Sequence, residues 1–168
     1  MILTRSPLRI SLGGGGTDLP SYYHENGGFL VAAAINKYIY VSITKPFVKG
    51  IYLKYSKLEK VSKVKNIKHK IFKAALNNFF PNCEQIEIST LADVPAGTGL
   101  GSSSSFTNAL IKALSIYNNF SIDSNILAQK SCDIEINQLK QPIGKQDQYI
   151  SAFGGITSFE FKKNDDVM

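Results

Sequence analysis

The sequence is poor in cysteine, in histidine and in long apolar runs, and each shortage closes off a class of function. Cys83 and Cys132 are the only cysteines and stand apart, with no CxxC or Cys/His spacing, so neither a disulfide framework nor a zinc site is suggested. Both read as buried free thiols. The two histidines, His24 and His69, have no evident role as the base of a serine-hydrolase triad. The longest apolar run, Phe29 to Ile35, is far below the ~20 residues a membrane helix needs, and the N-terminus has no cationic-then-apolar signal region. A cytoplasmic protein without membrane contact is expected. No internal repeat is visible. What is present, 43% hydrophobic and 19% charged residues in a chain of 168, fits one ordinary globular domain.

The formal net charge of +6 raises the question of a polyanionic partner, and its distribution answers much of it. Between Lys45 and Lys73 ten lysines face one acid, Glu59, for a local charge of +9 that leaves the remainder at −3. The segment has no arginine, and the lysines from 57 to 70 come without the interleaved aromatics that base readout or stacking on single strands favours. A solvated lysine face is the ordinary reading.

Glycine is distributed just as unevenly, and more informatively. Four of the thirteen are consecutive, Gly13 to Gly16, and three alternate at Gly97, Gly99 and Gly101. Glycine permits positive φ angles and close approach of backbone to a ligand, so such clusters after strands are tight turns or cradles for phosphate or sugar.

Periodicity places these clusters. Leu8, Ile10 and Leu12 alternate with Arg9 and Ser11, predicting a strand that enters the first cluster with one apolar face buried and Arg9 pointing away from the core. Phe29 to Ile35 and Tyr38 to Thr44 read as two strands of a hairpin, and Ile51 to Tyr55 as another strand. Ile67 to Phe80 reads as a helix ended by Pro81, and Glu84 to Thr90 as a strand before the second cluster. Phe106, Ala109, Leu110, Ala113, Leu114 and Tyr117 repeat at helical spacing, so a helix should run from Ser102 to about Tyr117. A further helix is expected from Asp123 to Leu139, with Glu135 interrupting the stripe of Ala128, Cys132 and Leu139. A carboxylate there either reaches the edge of the core or serves a cation. Gln141 to Gly155 reads as a polar segment in which Asp147 is a loop or cap residue, followed by a strand from Gly155 to Phe161. Helices and hairpins in irregular alternation indicate the α+β class.

The segment Pro95-Ala-Gly-Thr-Gly-Leu-Gly-Ser-Ser-Ser-Ser105 follows a strand and opens a helix, which gathers unpaired backbone N–H groups, the positive end of a helix dipole and several hydroxyls at one spot. It is no Walker loop, because no lysine follows Gly101. Nor does it fit a dinucleotide fingerprint, whose acidic partner should end the next strand, whereas Asp123 opens a helix. A phosphate loop with serine hydroxyls remains.

Pro95, Gly97, Gly99, Leu100, Gly101, Ser102 and Ser103 resemble the second signature of the GHMP kinases. Independently, Pro7 to Tyr23 with its four glycines, together with Asn26-Gly-Gly-Phe-Leu30, resembles that family's N-terminal substrate motif. Leu19-Pro20 and Pro142-Ile-Gly-Lys-Gln-Asp-Gln-Tyr149 are most similar to its bacterial heptose phosphate kinase branch, whose members serve surface-sugar pathways. The resemblance extends over residues 4 to 161. It implies a ribosomal protein S5 domain 2-like two-layer fold for residues 1 to 168, and ATP-dependent phosphorylation of a sugar or sugar phosphate hydroxyl. ATP would rest on Pro95, Gly97, Thr98, Gly99, Leu100, Gly101, Ser102, Ser103 and Ser104, with Mg2+ on Ser103 and Glu135. The sugar would be held by Gly13, Gly14, Gly15, Gly16, Thr17, Asp18 and Tyr149, while Asp147 takes the hydroxyl proton and Arg9 pairs with it. The family's third, C-terminal glycine-rich motif is missing. The chain therefore resembles an N-terminal half, for which weak or no activity alone is expected, with an apolar face left exposed or paired with a second copy. Fucose- or galactose-type kinases, a non-catalytic sugar-phosphate binder and a nucleic-acid-binding module are the competing readings.

Overall fold

A computed structural model describes all 168 residues. Strand β1 (Ile2–Gly13) is followed by helix α1 (Pro20–Asn26) and the long strand β2 (Gly28–Thr44). Next come β3 (Gly50–Lys54), β4 (Leu58–Val61), a 3-10 turn (Val64–Asn66), α2 (Lys70–Phe79) and β5 (Gln85–Ala92). The second part comprises α3 (Ser102–Tyr117), α4 (Ser124–Cys132), a π-helical turn (Asp133–Gln138), α5 (Gln146–Phe153) and β6 (Ile156–Phe161). The strands form one mixed sheet of order β1-β2-β5-β3-β4, antiparallel except between β3 and β5. Strand β6 pairs with Gly28 to Ala33 of β2 while β5 pairs with Ile39 to Thr44, so β2 is the axis of the fold.

One continuous β2 replaces the expected hairpin. Opposite it, Pro7 pairs with Tyr38 and Leu8 with Ile35, so Asn36 and Lys37 bulge out of the ladder. Proline has no N–H to donate, and the strand loops around the gap without turning back. The apolar alternation of β1 is also only partly buried. Thr4, Ser6 and Leu8 lie inside, whereas Ile10 and Leu12 are 39% and 56% exposed.

The helices make the second layer. Val41, Ile43, Ile51, Leu53, Ile86 and Ile88 from the sheet meet Phe72, Ala75 and Leu76 of α2 and Leu110, Ala113 and Leu114 of α3 in one buried cluster. Each fully buried aliphatic side chain contributes roughly 1.5–3 kcal/mol. A smaller cluster joins Tyr23, Leu30, Ala32, Phe159 and Phe161 to Ala128, Cys132, Tyr149 and Ile150. Between these two clusters the helices dock through polar groups. Thr4 Oγ1 donates to Ala109 O at 2.7 Å, Ser6 Oγ to Ser151 O at 2.9 Å, and Ser105 Oγ to Pro7 O at 2.6 Å. Asn108 Nδ2 donates to Gln148 O at 2.8 Å and to Ser151 Oγ at 2.7 Å.

Two further expectations change here. The helix expected to run unbroken from Asp123 to Leu139 shifts to π geometry at Asp133, the kind of local rewinding that re-aims side chains at functional sites. Asp147 lies in the first turn of α5, a helix where a polar loop was expected. Of the lysines, those at 54, 57, 60, 63, 65, 68 and 70 are exposed, as a solvated face requires. Cys132 is buried and burial pushes its thiol up to about 12, which leaves it unreactive near neutrality. No helix is long and apolar enough to cross a membrane.

Candidate active site

Strand β5 ends at Ala92, and the loop to α3 is tied back at its start by Asp93, whose carboxylate accepts from Tyr38 N at 2.8 Å. Gly97, Gly99 and Gly101 then take φ angles of 82°, 73° and 74°, values that side chains other than glycine's rarely tolerate. A side chain on Gly97 or Gly99 would meet nothing, whereas one on Gly101 would stand 3.1 Å from Arg9 Cγ and 3.2 Å from Asp147 Oδ2. The loop thus leaves its first two glycines open and presses the third against the Arg9–Asp147 pair. The first-turn amides of α3, which have no intrahelical acceptors, and the dipole of a 16-residue helix make its start favourable for an anion.

Arg9 holds this arrangement together. Its Nε and Nη2 donate to Asp147 Oδ1 and Oδ2 at 2.7 and 2.9 Å, a bidentate pair, while Nη1 donates to Gly99 O at 2.7 Å. Its backbone N–H reaches Leu100 O at 3.0 Å. Far from pointing freely into solvent, the Arg9 side chain is only 14% exposed. One guanidinium joins the Gly97–Gly101 loop to the carboxylate expected to meet the acceptor hydroxyl.

Glu135 is wholly buried, and the π turn brings it to the start of α3. Ser103 Oγ donates to its Oε1 and Ser104 Oγ to its Oε2, both at 2.7 Å, and Gln148 Nε2 to Oε2 at 2.6 Å. All three donors are neutral, and Glu135 enters no ion pair. A buried carboxylate without a compensating cation fits a cation site. The protein offers it one hydroxyl and one carboxylate, oxygen ligands of the kind magnesium accepts when nucleotide and water complete the shell. Gln148 Oε1, also buried, has no partner and fits an acceptor for such a water.

The first glycine cluster is closed by Thr17, whose hydroxyl donates to Gly14 O at 2.8 Å and accepts from Phe29 N at 3.1 Å. Asp18 is 1% exposed, and its oxygens accept from Gly16 N at 3.1 Å and Gln146 N at 2.9 Å. Tyr149 is 5% exposed in the smaller apolar cluster, where burial pushes its phenol up to about 12. Both were expected to touch substrate, and in this structure protein groups enclose both side chains.

Beside the Gly97–Gly101 loop opens a cleft of about 780 Å3. Its walls include Tyr55, His69, Ile71, Phe106 and the segment from Thr90 to Gly97, together with Ser102 and Ser103 at the start of α3. His69 Nδ1 accepts from Phe72 N at the start of α2, and burial lowers the imidazole pKa, so the ring is neutral near pH 7. His69 stands edge-on to Tyr55 and Phe106, at ring-centroid distances of 4.8 and 5.6 Å. No sequence motif announced this aromatic wall, because its members come from three separate segments.

Comparison with known proteins agrees with this geometry. Residues 63–155 match the description "GHMP kinases N terminal domain". The chain is 32% identical to D-glycero-alpha-D-manno-heptose 7-phosphate kinase of Campylobacter jejuni over 99% of its own length and 52% of that protein. It is 30% identical to L-fucokinase/L-fucose-1-P guanylyltransferase of Bacteroides fragilis, over 90% of this chain and 19% of the other. The crystal structure of a D-glycero-D-manno-heptose 1-phosphate kinase from Bacteroides thetaiotaomicron superposes with a TM-score of 0.91 at 28% identity, covering 100% of this chain and 58% of that one. The chain thus spans about half the length of the Campylobacter protein and of the Bacteroides kinase structure. The family match covers more than half of the chain, and the chain belongs to the GHMP kinases.

Proposed function

We propose that this chain is the nucleotide- and substrate-binding domain of an ATP-dependent sugar kinase whose acceptor is a sugar phosphate, D-glycero-D-manno-heptose 7-phosphate above the others, giving the 1,7-bisphosphate for surface polysaccharide synthesis. The observation that carries the reading is Arg9, which bridges the Asp147 carboxylate and the Gly99 carbonyl of the phosphate loop. Donor phosphate and acceptor hydroxyl would meet across that one side chain. The names of both relatives support a heptose phosphate, and that of the Campylobacter protein supports the 7-phosphate.

Phosphoryl transfer asks mainly for positioning and charge neutralisation. The adenine ring would occupy the cleft between Tyr55, His69 and Phe106, and the phosphates would lie on the amides from Gly97 to Ser104. Magnesium, held by Ser103 and Glu135, would supply charge neutralisation at the phosphate oxygens. Asp147 would accept the hydroxyl proton as the acceptor oxygen bonds to the γ-phosphorus of ATP and the bond from that phosphorus to the bridging oxygen breaks, releasing ADP. Its bidentate pairing with Arg9 fixes the orientation of the carboxylate toward the acceptor. Thr17 and the backbone of Gly13 to Gly16 orient the sugar.

Turnover is expected to require the part of the relatives that this chain does not cover. ATP consumption should therefore be compared for this chain and for a version extended by that part, with heptose 7-phosphate, fucose, galactose and mevalonate as acceptors. Turnover by the extended form with heptose 7-phosphate supports the reading. Absence of turnover with every acceptor overturns it.

A further inference from the structure

Strand β4 reverses the usual pattern of apolar side chains inward and charged ones outward. Leu58 is 72% exposed, whereas Glu59 beside it is 8% exposed. Glu59 is also the one acid among the ten lysines from Lys45 to Lys73, yet it enters no ion pair. A buried carboxylate needs hydrogen-bond donors, and Glu59 finds them in two separate segments. Its Oε1 accepts from Lys68 N at 2.5 Å and its Oε2 from the Tyr55 hydroxyl at 3.3 Å. Both segments lead to the cleft beside α3. Tyr55 follows β3 directly, and Lys68 precedes His69, the N-cap of α2.

Glu59 does not itself line the cleft. It holds one wall residue, Tyr55, by the hydroxyl and the other, His69, by the backbone just before it, while both rings rest on the fully buried Phe72 at centroid distances of 5.8 and 4.9 Å. The carboxylate is also felt electrostatically: it adds to the rise that burial imposes on the Tyr55 phenol pKa and opposes the fall that burial imposes on His69. We infer that Glu59 is a positioning residue for the nucleotide base: it clamps Tyr55 to the segment entering α2 and so sets the aromatic wall before the base arrives. A wall fixed in advance spares the ordering cost at binding. The inference deepens the kinase reading and rests on it for the identity of the ligand, while the clamp itself is a matter of geometry.

Calorimetric titration of the 168-residue chain with two probes, magnesium ATP and magnesium tripolyphosphate, separates the base from the phosphates. Glu59→Ala should weaken ATP binding about tenfold or more and tripolyphosphate binding less than about threefold. In Glu59→Gln the amide oxygen still accepts from Lys68 N and the NH2 donates to the Tyr55 oxygen, so ATP affinity should return to within about threefold of the original. Tyr55→Phe, which breaks the same tie and keeps the ring, serves should Glu59→Ala fail to fold; it should weaken ATP about threefold or more and spare tripolyphosphate. NMR of the chain without ligand reads the clamp directly. The His69 titration midpoint should fall in both Glu59 variants, since each removes the charge that holds it up, and the Tyr55 ring resonances should move in Glu59→Ala and far less in Glu59→Gln. The inference is overturned if Glu59→Ala binds ATP as the original chain does, if Glu59→Gln is as weak as Glu59→Ala, or if both probes weaken alike. If the unaltered chain binds neither probe, it is the kinase reading that suffers, and unmoved Tyr55 and His69 signals in Glu59→Ala would still overturn the clamp.

Discussion

Helix α3 is held on its two sides by opposite means. Toward β2 and α2 it presents Leu110, Ala113 and Leu114 to a continuous apolar cluster. Toward β1 and α5 it presents Ser105 and Asn108, which bond to Pro7 O, Gln148 O and Ser151 Oγ. Apolar contact is strong but non-directional, so that side fixes that the helix is there. Hydrogen bonds are directional and weak in net terms, so the other side fixes where the helix start, with Gly101 and Ser103, stands relative to Arg9 and Glu135. Stability and site geometry are thus divided between two faces of one helix.

Substitutions that separate stability from chemistry sharpen this division, and the largest effect belongs to Asp147→Asn. In a form that turns over, it should lower phosphoryl transfer by about 10²–10⁴-fold, with the KM for ATP changed far less, measured by steady-state kinetics. Leu110→Ala should cost about 2–5 kcal/mol in chemical denaturation, through the cavity it leaves, yet keep the Arg9 Nε–H resonance in place. Asn108→Ala tests the other face: it removes the donor to Gln148 O and Ser151 Oγ, at about 0.5–1.5 kcal/mol for each bond, and it should disturb that same resonance although Asn108 bonds to neither Arg9 nor Asp147. Equal disturbance by the Leu110 and Asn108 variants would break the comparison.

The smallest effect is a pH slope. Burial lowers the pKa of His69 in the fold, so below the ordinary value near 6.5 the unfolded chain takes up its proton first. The stability linked to His69 is complete above that value and declines as pH falls toward the folded pKa. His69→Gln should remove this part of the slope in urea titrations between pH 7 and 5. An unchanged slope would show that the ring is not neutral in the fold.

How much of this was legible depended on whether the signal was local. Helix α3 runs from Ser102 to Tyr117, as its spacing predicted, because sixteen residues give a full amphipathic period. Helix α5 went unseen because eight residues, three of them the polar Gln146, Asp147 and Gln148, show too little periodicity. The π turn left no trace in composition, since it shifts a hydrogen-bond register and not a residue type. Among site residues, the glycine clusters and serines were legible from their type and spacing. The burial of Asp18 and Tyr149 was not, because it depends on contacts with distant segments. The Tyr55–His69–Phe106 wall was hidden for the same reason.

The central claim is that the start of α3 and Glu135 bind a nucleotide through a divalent cation. Manganese with ATP, added to the isotope-labelled 168-residue chain, measures this most directly, because the paramagnetic ion broadens only nearby resonances. The account predicts selective broadening of the amides from Gly97 to Ser104 and of Glu135, lost in Glu135→Gln. Broadening confined to the lysines between 54 and 70, or broadening at the loop that Glu135→Gln leaves intact, would contradict it.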